Sequence, residues 1–188
     1  WVIKGMKSLN KTISHEAANY LVNISEPDMY TLRNEIFKLA SYAGERNEIT
    51  LDDVKLMAIP TIKSVIFDLL DAVAKKDTAK SLNILNDIIA LKEPEQKILA
   101  MLSKQTGEIL KLKLLMEDRA TQAQINQYFQ GKHPYALKIM TEQAYGMSVE
   151  YLKNILKNCM EAEENYKKGL IEPKLALELL LEKNKCLT

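Results

Sequence analysis

The spacing of apolar residues between Asp28 and Val54 constrains the fold more than any other feature of this chain. Met29, Leu32, Ile36, Leu39, Ala40 and Ala43 recur at three and four residues, so a helix gathers them on one face, while Arg33, Asn34, Lys38 and Ser41 fall mostly elsewhere. Gly44 follows as the left-handed stop that such a helix wants. Thr50 and Asp53 then have the spacing of a capping box. In that motif the threonine oxygen accepts an orphan amide, and the carboxylate answers back near the positive end of the helix. A second helix is therefore predicted to start near Leu51.

The same periodicity runs through nearly the whole sequence. It predicts helices over 1–10, 14–25, 28–43, 50–58, 62–76, 78–91, 94–118, 121–130, 134–146, 148–168 and 173–185. Six glycines and five prolines punctuate 188 residues, and no alternating polar and apolar run is long enough for a strand. The fold class is all-α. Pro94, Pro134 and Pro173 sit where the first turn of a helix tolerates a missing amide. Pro60 marks the seam between domains: Ile59-Pro60-Thr61-Ile62-Lys63 breaks the pattern, with a new helix expected from Ser64. Two domains follow, 1–60 and 61–188, within the range of length that one sizeable core or two small ones can use.

Charge excludes a strongly basic arm. Twenty-six basic and twenty-five acidic side chains leave a net charge of +1. Residues 1–60 carry seven basic and eight acidic groups and the remainder nineteen and seventeen, so a nucleic-acid surface would have to be local. Cys159 and Cys186 lie far apart in predicted helices, which reads as two ordinary thiols in a reducing cytoplasm. The sequence has no run of 18 apolar residues, so no membrane partner is expected. The opening Trp1-Val2-Ile3-Lys4-Gly5-Met6-Lys7 lacks the exit of a signal peptide and begins in mid-pattern, so the chain is expected to be a fragment of a longer protein.

No residue pattern points to catalysis. His15-Glu16 begins like a zinc-protease helix, but the position four residues after the histidine is Asn19, so a helix-start histidine is the better reading. His133 stands in the turn Gly131-Lys132-His133-Pro134-Tyr135 without a sequence-near carboxylate or thiol, which favours loop geometry over ligation. Gly131-Lys132 lacks the earlier glycine and the following hydroxyl of a phosphate cradle, so no nucleotide and no other cofactor is expected. Asp52-Asp53 and Glu163-Glu164 are neighbours that a helix turns about 100° apart, so neither pair converges on one atom; solvated surface and capping charge account for them. Met101, Met116, Met140 and Met160 read as core filler. Lys153, Lys157 and Lys167 make at most a modest basic ridge on one long helix.

Three motifs carry a family resemblance. The stretch Asp28–Val54, with Asn34, Glu35, Lys38 and Leu39 as its core, resembles the AAA+ lid of the delta subunit of the bacterial DNA polymerase III clamp loader. Gly131-Lys132-His133-Pro134-Tyr135 resembles the Gly-x-His-Pro-aromatic turn of that family's collar. Ala162-Glu163-Glu164-Asn165-Tyr166-Lys167-Lys168-Gly169, with Leu175-Ala176-Leu177-Glu178, resembles its closing helix pair; Asn165 stands where the family usually has an acidic residue. The three occur in the family's order and cover essentially the whole chain.

The resemblance implies a lid over residues 1–60 and a helical collar domain over 61–188. In clamp loaders five collars close into a ring, and the domains beneath encircle primed DNA. The implied role is assembly and coupling within the loader, without catalysis by this fragment; the parent subunit would belong to the DNA polymerase III holoenzyme, a DNA-directed DNA polymerase and nucleotidyltransferase. Implied partners are other loader subunits through the collar, the sliding clamp through an N-terminal domain absent from the fragment, and primed DNA in the full assembly. Tyr30 falls near the position where ATP-hydrolysing relatives carry a sensing arginine, and Arg33 lies one turn later. Tyr135, Lys138 and Tyr166 are the candidate partner-binding residues, because they lie in or beside the resembling motifs and carry polar tips on bulky bodies. A helical interaction scaffold unrelated to replication is the alternative. Against a repeat scaffold, no period of 30–45 residues recurs.

Overall fold

A computed structural model describes residues 1–25 and 28–185, the side chain of Lys185 excepted. Cys186, expected in a helix, lies outside the described residues. Contacts divide the chain into two compact units, Trp1–Ser64 and Val65–Thr188. The division falls four residues beyond Pro60.

Unit one contains α1 (Val2–Ser8), α2 (His15–Ile24), α3 (Met29–Ala43) and α4 (Leu51–Met57). Each of the last three starts on a side-chain cap: Ser14 accepts from the Ala17 amide, Asp28 from Thr31 and Thr50 from Asp53. The box at α4 is closed in both directions, with the Thr50 amide donating to Asp53 Oδ2 at 2.9 Å and the Asp53 amide to Thr50 Oγ1 at 3.1 Å. Gly44 ends α3 at φ +55°, a conformation that a side chain resists.

Leu32, Ile36, Leu39 and Ala43 of α3 are buried and meet Met6, Leu21, Ile49 and Val54 in one core. A fully buried leucine such as Leu21 or Leu39 contributes about 1.5–3 kcal/mol through the area it removes from water. Gly5 lets α1 approach α3, since a methyl there would stand 2.9 Å from Ile36 Cδ1. Met29 departs from the expected apolar face: as the first residue of α3 it precedes the packed turns and is 55% exposed. Ala40 is half-buried.

A short extended pair also departs from the helices-only reading. β1 (Thr12–Ile13) and β2 (Glu48–Ile49) run parallel, Thr12 opposite Glu48 and Ile13 opposite Ile49. Two residues are too few for an alternation to be read from sequence. Lys11 fastens the same region. Its buried ammonium donates to the carbonyls of Gly44 and Arg46, both at 2.6 Å, and so satisfies acceptors exposed where α3 ends.

Unit two is built from α5 (Ile62–Ala74), whose first three residues precede the division, α6 (Thr78–Ala90), α7 (Glu95–Glu117), α8 (Gln122–Tyr128), α9 (Pro134–Gly146), α10 (Val149–Lys167) and α11 (Pro173–Lys185). Its first helix starts at Ile62, two residues before Ser64, because the Thr61 hydroxyl caps it by accepting from the Ser64 amide at 3.3 Å. The long α7 packs against α9, α10 and α11, and α11 also meets α6 and α10. Ile98, Leu102, Ile109 and Leu112 line the buried face of α7, with Met140, Leu152, Ile155 and Leu177 among their counterparts elsewhere in the core.

Two side chains, one buried and one half-buried, tie distant segments of this unit together. Gln143 of α9 donates to the Phe67 carbonyl at 2.9 Å, and the Tyr151 hydroxyl of α10 reaches the carbonyls of Val73 at 3.0 Å and Asn184 at 3.2 Å. Met140 is core, as expected, and Met101 and Met116 are half-buried, but Met160 is 69% exposed. It follows Cys159 by one residue, so the helix turns it about 100° away from the buried row Leu152, Ile155, Cys159 and Ala162. The architecture is all-α, with the two-residue pair as its one extended element among the described residues.

Candidate functional site

The turn between α8 and α9 combines a family-like motif with a groove. A capping box opens α8: the Thr121 amide donates to Gln124 Oε1 at 2.8 Å, and the Gln124 amide donates to Thr121 Oγ1. After Phe129, Gly131 adopts φ +88° and redirects the chain. His133 is the N-cap of α9, its Nδ1 accepting from the Tyr135 amide at 3.3 Å, and Pro134 occupies the first helical turn. Lys132 reaches across to Glu108 of α7 at 2.7 Å in a largely shielded pair. Every residue from Gly131 to Pro134 thus has a geometric task in the turn, and Gly131, Lys132 and Pro134 also line the groove that holds the candidate binding chemistry.

That chemistry lines a groove of about 730 Å³. Phe129, Pro134 and Leu137 give it apolar surface, the amides of Gln122, Asn126 and Gln130 a polar wall, and Lys138, Thr141 and Glu142 the facing rim. An apolar floor with convergent polar groups is the usual make-up of a binding surface. The amides recur at four-residue spacing, a signal that the sequence held but that sequence reasoning passed over.

Of the candidate residues, Lys138 lines the groove, and its ammonium lies a loose 3.8 Å from Glu142 with both side chains largely exposed. Tyr135, one turn earlier on α9, is half-buried and does not line it. Tyr166 is half-buried near the end of α10, also outside the groove. The three candidates therefore do not share one surface pocket.

Two of the three lysines of the basic ridge on α10, Lys157 and Lys167, face carboxylates. Lys167 pairs with Glu163 at 2.6 Å, Lys157 lies 4.0 Å from Glu161, and Lys168 pairs with Glu164. Lys183 of α11 also reaches Glu161 at 3.0 Å and holds its carboxyl below the usual range. Exposed pairs of this kind carry little net field for a phosphate backbone. In unit one, Tyr30 is exposed on the first turn of α3, and the Arg33 guanidinium sits 5.4 Å from the Phe37 ring centre. His15 is the first residue of α2, directly after its Ser14 cap. Among the described residues no three histidine, cysteine or carboxylate side chains cluster as a metal site, and no helix is long and apolar enough to cross a membrane.

Comparisons with known proteins show the family to which the chain belongs. The family described as "DNA polymerase III delta subunit, C-terminal domain" matches residues 63–184. The DNA polymerase III subunit delta of Bacillus subtilis is 34% identical over 175 residues, covering 93% of this chain and 50% of that protein. A probable DNA polymerase III subunit delta from Aquifex aeolicus is 30% identical over 117 residues, 62% of this chain and 33% of its own length. Among solved structures, the Bacillus subtilis DNA clamp loader delta protein superposes with a TM-score of 0.81 at 32% identity, covering 98% of this chain and 54% of that one. The chain thus spans half or less of the length of these curated relatives. It belongs to the DNA polymerase III delta subunit family, with the family's C-terminal domain over residues 63–184.

Proposed function

We propose that this chain is the assembly and coupling part of a clamp-loader delta subunit, acting in DNA replication by holding loader subunits together while a sliding clamp is placed on DNA. The single observation that carries the reading is the TM-score of 0.81 over 98% of the chain to a protein whose name is DNA clamp loader delta. In this reading residues 61–188 form the collar that meets neighbouring subunits, and residues 1–60 form an AAA+ lid-type bundle. The sliding clamp is met through a domain outside this chain, and primed DNA is met by the complete assembly. The chain itself performs no catalysis and takes no cofactor; its parent works beside the polymerase of the holoenzyme, in the cytoplasm.

The mixed character of the groove beside Lys138 fits such a role, since rims of this kind supply orientation while apolar floors supply area. The test is size-exclusion chromatography of the 188-residue chain with the purified collar domains of the other loader subunits from the same organism. Co-elution at micromolar concentration is expected. The chain eluting alone from every such mixture would overturn the reading. Heterologous ring contacts do not require self-association, so the isolated chain is expected to be a monomer.

A further inference from the structure

A small cavity in unit two is bordered by Val73, Ser81, Leu181 and four further polar residues, Lys76, Thr78, Tyr151 and Asn184. Its volume is about 10 Å³, the space of one water molecule and too little for any larger ligand. Asn184 is 2% exposed, and its Nδ2 has no hydrogen-bond acceptor among the described residues. Asn184 Oδ1 accepts from Asn158 Nδ2 at 2.7 Å, so the orientations of the two amides are coupled. Turning the Asn184 amide over would place two NH2 groups face to face unless Asn158 turned as well.

We infer that the cavity is a built hydration site, holding one water that joins α6, α10 and α11. The donor and acceptor count closes on a single molecule. Asn184 Nδ2 supplies the hydrogen that the water accepts. Ser81 Oγ, which is 1% exposed, donates its own hydrogen to the Asp77 carbonyl at 2.8 Å and so keeps lone pairs for a water proton. The Tyr151 hydroxyl likewise donates to the Val73 or the Asn184 carbonyl and keeps a lone pair for the second water proton. One water thus finds about three partners, the usual number for a buried structural water. A dry cavity would leave a buried amide donor unsatisfied, which folded proteins avoid. The site also gives Asn184 a role: through its carbonyl, its Oδ1 and its Nδ2 it ties the end of α11 into the bundle.

The experiment is a crystal structure of the 188-residue chain at a resolution that shows ordered waters, together with magnetisation transfer from water to the side-chain amide of Asn184 in solution. Ordered density within hydrogen-bond distance of Asn184 Nδ2 and of Ser81 Oγ or Tyr151 Oη, with a transfer signal of the sign given by a long-lived water, is the expected result. An empty cavity with Asn184 in place would overturn the inference. So would an Asn184 amide turned onto a protein acceptor, or the absence of any long-lived transfer signal.

Discussion

Arg46 grips Asp53 with both terminal nitrogens of its guanidinium, Nη1 to Oδ2 at 3.1 Å and Nη2 to Oδ1 at 3.0 Å. The same carboxylate closes the capping box of α4. Asp53 is 8% exposed, so this capping aspartate is also a shielded, bidentate partner, whereas Asp52 beside it is solvated.

The Arg46 bond, the Thr50 amide and the charge of Arg46 hold the Asp53 carboxyl down at about 2, against an ordinary value of 3.8. A depressed folded-state value means that the ionised form stabilises the fold above pH 3.8 and that this contribution is lost as pH falls through about 2. Replacing Asp53 with Asn is expected to destabilise the chain by roughly 1.5–3 kcal/mol at neutral pH, the scale of a charge-assisted hydrogen bond. Urea midpoints of the wild type and Asp53→Asn should converge between pH 4 and pH 2. A difference that stays constant across that window would show that the charge is not what the fold uses.

Most of the fold was legible because helices write their burial locally. The row Leu32, Ile36, Leu39 and Ala43 reads directly off a period of 3.6, and Thr50 with Asp53 names its own helix start. What was not legible depends on residues meeting across long stretches of chain. Lys11 finds the carbonyls of Gly44 and Arg46 more than thirty positions away, and nothing in the local pattern around Lys11 announces it. The parallel pair of β1 with β2 has the same cause. The candidate site was half legible: the turn at Gly131 to Tyr135 is visible as a string of residues, but the groove arises from how α8 and α9 lie together, which brings Lys138 to the rim and leaves Tyr135 and Tyr166 off it.

Cys159 is expected to be chemically silent in the folded chain. Burial, reinforced by the nearby negative charge of Glu163, pushes its thiol up to about 12. The attacking species is the thiolate, so Cys159 should react with a thiol probe at pH 8 only as fast as the chain unfolds. A Cys186→Ser background isolates the signal. Rapid, stoichiometric labelling without denaturant would contradict the burial of this residue.

The connection between α4 and α5 should be the first point of proteolytic entry. Ile59 and Pro60 are exposed and lie outside any helix, whereas Thr61 is already anchored through its amide to the Ile24 carbonyl at 2.7 Å. Cleavage needs locally opened backbone, so early cuts are expected within residues 57–60 rather than inside the helices. Mass spectrometry of the first fragments decides it. Initial cuts inside α7 or α10, with 57–60 intact, would mean that the connection is better protected than its exposure implies.

If the groove beside α9 is a collar contact, reversing one rim charge should weaken it without touching the core. Lys138 is the residue for this test, because its side chain is largely exposed and its pairing with Glu142 at 3.8 Å is too loose to matter for folding. Lys138→Glu is expected to leave thermal unfolding within about 0.5 kcal/mol of wild type. Association with a partner collar should fall roughly tenfold, the effect of about 1.4 kcal/mol at an interface. Tyr135→Ala and Tyr166→Ala probe the same question less cleanly, since both rings are half-buried and their loss also removes packing. Their effect on association must therefore exceed their effect on stability before it counts as contact. Titration calorimetry of each folded variant against the partner collar separates the cases. Unchanged binding by Lys138→Glu would remove the groove rim from the interface and direct attention to the other exposed side chains of the unit, of which Tyr145 on α9 is the most solvent-accessible large apolar one among the described residues.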